Sequence, residues 1–244
     1  MKTRDDPRRW GLARYLVSGF GGFAGLIFVP FFLGVMLVAI LIDTFGSLQA
    51  SVWAGASFLP RFYALVIVLH VVNTHFPLHI SHGGTRRQYT AQLAVFVLAH
   101  GVVLAGLMTL GFWGESLVAE LFGWPMALSS YTFIDGTRDF GAMALTFGII
   151  FVAWGAATAL GSTSLYRNRE VGGLGVAAGI VMVMLVESSL GDGFLFLGFL
   201  GRLFTLDGWS MGSAMAIGAG LTVAAMLITW WVARSMPVRS PAEN

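Results

Sequence analysis

Phe76–Thr90 reads FPLHISHGGTRRQYT, and these fifteen residues organise the rest of the chain. Apolar runs of membrane-crossing length flank the stretch on both sides. It carries His79, His82 and Arg86-Arg87, the one adjacent arginine pair beyond the N-terminal tail. A short basic connection between two apolar helices must face water, and the side it faces sets the sidedness of its neighbours.

Working outward, uncharged or nearly uncharged runs recur at about 20–42, 62–80, 91–113, 140–165, 171–190 and 211–233. Each is of a length that crosses a ~30 Å hydrocarbon core as a helix. The chain is 57% hydrophobic and 11% charged, with a mean hydropathy of +0.79. That composition excludes a soluble globular domain. The fold expected is an all-α integral membrane protein with six transmembrane helices and no second domain. Residues 1–19 are expected to form a cytoplasmic tail and an N-terminal interfacial helix, with Trp10, Leu12, Tyr15 and Leu16 turned toward lipid. Met1–Arg14 is too charged for a removable signal peptide. Residues 234–244 form a second tail.

Sidedness follows from the basic residues. Eleven of the fourteen fall on the side shared by the two termini and the Phe76–Thr90 connection; Arg61, Arg138 and Arg202 fall opposite. Both termini are therefore expected to be cytoplasmic. Gly191–Leu206 (GDGFLFLGFLGRLFTL) is apolar but glycine-broken, and its sixteen residues reach only ~24 Å as a helix. It reads as re-entrant or interfacial helices between spans five and six. Such backbone is stable at membrane depth only when covered by protein or lining water.

Several chemistries are excluded. Lys2 is the one lysine, so no phosphate-cradling GxxxxGK[ST] loop exists, and ATP hydrolysis would have to occur on another chain. There is no HExxH zinc motif and no cysteine for disulfides or thiolate metal sites. No nucleic-acid partner is expected. His70 and His100 fall at matching depth on adjacent spans, which makes them candidate haem ligands. His75, His79 and His82 form a weaker metal alternative, although Pro77 disturbs the helix between the first two. Glu187 in span five is a candidate substrate or gating contact with Arg202, or else a carboxylate at the water's edge. Glycine pairs such as Gly21/Gly25 and Gly175/Gly179 are too common in this composition to mark a dimer face.

Six spans, cytoplasmic ends, an interfacial first helix and an interrupted segment before the last span resemble the type-2 class of ABC exporter permeases. Within the connection, Pro77, Ser81, Gly83, Thr85-Arg86-Arg87 and Tyr89 resemble the short small-Gly-x-[TS]-R-R-x-aromatic stretch common between spans two and three of that family. The two histidines, His79 and His82, depart from its pattern. The resemblance implies that this connection is a coupling helix docking on a cytoplasmic ATP-binding-cassette ATPase, and that Arg167, Arg169 and Glu170 form a second contact. It further implies a second permease half, ATP and Mg on the partner subunit, no cofactor on this chain, and a multi-pass location in the bacterial inner membrane. The substrates it implies are lipids, glycans, drugs or antimicrobial peptides. The rival readings are a haem-binding electron-transfer protein using His70 and His100, and a structural accessory membrane subunit.

Overall fold

The structure is a computed structural model that describes residues 10–124, 133–134, 139–190 and 210–236. Among these residues every regular element is a helix: α1 (Gly11–Phe45), α2 (Val52–Ala56), α3 (Phe58–His70), a wide π turn (Val71–His75), α4 (Phe76–Ser81), α5 (Arg86–Phe122), α6 (Phe140–Arg167), α7 (Arg169–Ser189) and α8 (Met211–Ala233). Six helical stretches are long and apolar enough to cross a membrane, with Val52–Ser81 acting as one of them. The chain is an all-helical, multi-pass membrane protein.

The helix ends are written into local sequence. Thr85 and Gln88 form a reciprocal capping box at the start of α5, and Gly123 closes that helix in the left-handed region at φ 69°. Asp139, Asn168 and Ser210 accept backbone N–H bonds at the starts of α6, α7 and α8. α1 has no cap of its own. Its first-turn amides of Leu12 and Ala13 donate instead to Oε1 of Gln92 on α5, at 2.9 and 3.2 Å. α1 then runs unbroken from Gly11 through Pro30 to Phe45, so Gly11–Ser18 is continuous in helix with the first span.

Three further boundaries differ from the sequence reading. The Phe76–Thr90 connection is mostly helix, and only His82–Thr85 lies outside α4 and α5. The third span, read as ending near residue 113, continues as α5 through Gly114 to Phe122. The break at Tyr166–Glu170 shrinks to Asn168 alone. Gly191–Leu206 lies outside the described residues.

The core is built around α6. Over its most apolar stretch 56% of α6 is buried, against 11% for α1 and 17% for α8, so α6 is the central helix and the other two lie at the periphery. Phe96, Phe112, Phe147 and Phe151 fill the middle without solvent contact. α7 approaches α6 closely because Gly175 and Gly179 present no side chain there. A Cβ at Gly179 would stand 3.0 Å from the Ala157 carbonyl oxygen. Trp53 enters a similar notch over Gly111, and its indole N–H donates to the Met108 carbonyl at 2.9 Å.

Contacts gather the connections at two ends of the bundle. Phe76 packs edge-on against both Tyr89 and Tyr166, at 5.1 and 5.5 Å, which places the His82–Thr85 and Asn168 turns together. Arg86 Nη2 donates to the Met236 carbonyl at 2.9 Å, bringing the end of α8 to the same place. The Gln92 contact adds the start of α1. At the other end Trp124 donates to Asp43, and Glu115 holds the start of α2.

Candidate functional site

The basic end is assembled from the turn upward. Pro77 has no N–H to give its preceding turn, and its ring crowds the carbonyl four residues back; the wide π turn immediately before it accommodates both. The hydroxyl of buried Tyr89 donates to the Val71 carbonyl at 3.1 Å, tying α5 to the first residue of that π turn. α4 is thus a six-residue helix set off from α3. Ser81 donates back to Leu78 at 2.9 Å, and Gly83 turns the chain at φ 79°, a conformation that favours glycine. Gly84 leaves room for the His79 imidazole, which also leans on Tyr89 at 5.8 Å. Arg86 is spent on Met236, whereas Arg87 is exposed. At the neighbouring turn Arg169 and Glu170 are exposed, and Arg167 lies 5.9 Å from the Trp231 ring. All residues of the two expected contacts therefore share one end, but Tyr89 is a buried strut and not part of a surface.

A second cluster lies inside the bundle. Arg61 Nε meets Glu187 Oε1 at 3.0 Å, with the two side chains 4% and 3% exposed. The Trp154 indole donates to the same oxygen at 2.9 Å, and Arg61 Nη1 donates to Ser57 at 2.9 Å. Three spans meet here: α3 supplies the cation, α7 the anion and α6 the indole. Glu187 is thus shielded by protein rather than placed at the water's edge. Arg202 lies outside the described residues. Beside the cluster runs an apolar groove of about 410 Å³ lined by Phe62, Leu65, Trp154, Val183 and Glu187 among others. The sequence reading missed Arg61 and Trp154 as partners. A usable signal existed, since an arginine directly before an apolar run of span length needs an acceptor.

Glu115 is a third buried charge. It accepts from Ser51 Oγ at 2.5 Å and from the Val52 and Trp53 amides at 2.9 and 3.1 Å, which makes it the anchor of α2. His70 and His100 lie apart, with aromatic rings between them. His100 is buried between Phe96 (5.2 Å, stacked) and Tyr63 (5.5 Å). His70 is exposed and contacts Phe20 and His75, each at 6.0 Å. Ring contacts run from His70 through Phe20 and Phe96 to His100, so phenyl rings occupy the path between the two imidazoles. Among the described residues no three His, Asp or Glu side chains form a metal-holding group. Gly208-Trp209-Ser210-Met211-Gly212 has the GxSxG form of a nucleophile elbow, but Ser210 serves as the N-cap of α8, accepting from the Ser213 amide at 3.2 Å.

Compared with known proteins, the chain matches no family model, no curated protein and no solved structure.

Proposed function

We propose that the chain is the membrane permease subunit of an ABC-type exporter in a bacterial inner membrane, with the basic end cytoplasmic. A separate ATPase supplies ATP, Mg and hydrolysis, and a second permease half completes the pathway. The cargo is a lipid, glycan, drug or antimicrobial peptide.

One observation carries the reading. α4 is a short helix held between two elements that must move for transport: it continues from α3 through the π turn, and it is tied to α5 by the packing of Phe76 and His79 on Tyr89 and by a turn whose Gly83 and Gly84 amides donate to the Ile80 and His79 carbonyls. A segment held this way transmits a push without absorbing it. Exposed Arg87 and, at the adjoining turn, exposed Arg169 offer charge to an acidic face of the ATPase. Arg61 and Glu187, beside the lateral groove, are the substrate or gating contact inside the membrane.

Affinity purification of the tagged chain tests this. A Walker-motif ATPase co-purifies with the wild type, and Arg87→Glu combined with Arg169→Glu lowers its recovery about tenfold, the loss of ~1.4 kcal/mol of docking. The amount of inserted chain does not change. Absence of any nucleotide-hydrolysing companion, or undiminished recovery, refutes the proposal.

A further inference from the structure

A groove separates α5 from α8 on the lipid-facing side of the bundle, and its two ends differ in chemistry. Its volume is about 510 Å³. Along most of its length the walls are apolar: Ala91, Ala94 and Leu98 from α5, and Val223, Met226 and Leu227 from α8. On α5 the lining extends from Arg87 to Leu98, ~16 Å at 1.5 Å per residue. That is about half of a ~30 Å hydrocarbon core, the depth of one leaflet. At the mouth stand Arg87 and Trp230, and the guanidinium of Arg234 lies over the Trp230 ring at 3.6 Å.

Among the described residues the charge at this mouth is unbalanced. Arg87 and Arg234 are exposed, and the one salt bridge between described residues is Arg61–Glu187, in a different part of the bundle. Among the described residues, Arg167 and Arg169 add to the same end, where Glu170 is the nearby carboxylate. Trp230 has the amphipathic ring that settles at headgroup level, with its indole beside the apolar walls.

We infer that this groove is a binding site for one anionic glycerophospholipid of the leaflet at the basic end. An acyl chain lies between α5 and α8, and the phosphate sits between Arg87 and Arg234. The fork of a guanidinium suits a phosphate's oxygens, and basic pockets between transmembrane helices recognise such headgroups. A zwitterionic headgroup would bring an ammonium against two arginines and lose most of that attraction. The bound lipid joins the third and last spans on the face where Arg86 already reaches the Met236 carbonyl.

The test uses the purified full-length chain with no ATPase present, so its result is independent of the proposed coupling role. Native mass spectrometry after exchange into mixed micelles of phosphatidylglycerol and phosphatidylcholine reads retained lipid. One phosphatidylglycerol should be retained selectively, and Arg87→Gln or Arg234→Gln should each lower its retention about fivefold. Leu227→Trp, at an exposed groove position, should lower it as much with both arginines intact, which separates the groove from surface charge. Soluble glycerol phosphate should not compete. Equal loss with Arg169→Gln would reduce the effect to diffuse electrostatics and overturn the site. Retention unaffected by Leu227→Trp, or full competition by glycerol phosphate, would overturn the acyl-chain groove. Equal retention of phosphatidylcholine would overturn the headgroup assignment.

Discussion

The Arg61–Glu187 pair offers the sharpest perturbation because its two partners come from different spans and are almost wholly shielded. Arg61→Met leaves the Glu187 carboxylate with the Trp154 indole as its remaining described partner. Stranding one member of a buried ion pair costs about 3–5 kcal/mol. Glu187→Gln keeps an acceptor for the indole but removes the charge facing Arg61, at a cost in the same range. For a chain of this size about 2–4 °C of melting temperature accompanies each kcal/mol, so either single variant should melt about 6–20 °C lower. The double variant Arg61→Met/Glu187→Gln strands neither charge. Replacing a buried pair by uncharged side chains is often close to neutral, so the double should recover most of the loss and leave a coupling of at least about 2 kcal/mol. Thermal unfolding in detergent, followed by tryptophan fluorescence, reads all four proteins. Single effects that simply add, within about 0.5 kcal/mol, would refute the idea that this pair pins α3 to α7.

Other positions give independent checks by the same melts. Glu115→Ala removes the acceptor for Ser51 and for the Val52 and Trp53 amides, and should cost about 2–4 kcal/mol, with Glu115→Gln retaining part of it. Gly111→Ala places a methyl group inside the Trp53 indole and should cost about 1–3 kcal/mol, with a shift in tryptophan emission as the ring is displaced. Tyr89→Phe deletes the bond to the Val71 carbonyl and should cost about 1 kcal/mol while leaving the ring contact with Phe76 intact.

The six helices were legible because a membrane span is a matter of unbroken apolar length, and length is visible in one dimension. Where those helices stop is harder to read, because polar residues suit a loop and a helix end equally well. Yet Thr85-x-x-Gln88 is a capping box in plain sequence, and it announces a helix beginning at Arg86. Glu115 lies just past the expected end of the third span, and nothing in its neighbourhood reveals that Ser51 and two amides far back in the chain will bond it. The basic end was legible in composition, but the division of labour within it was not. Arg86 and Arg87 are adjacent and chemically identical, and the helix points one at Met236 and leaves the other exposed. Arg61 and Glu187 mark the limit of pattern reading. Each, taken alone, is an ionisable group beside apolar sequence, and the cost of leaving it unpaired demands a partner. Energetics could therefore have stated that partners exist for both. Only the fold, by laying α3, α6 and α7 together, makes them partners of each other and adds Trp154 as the donor to the oxygen they share.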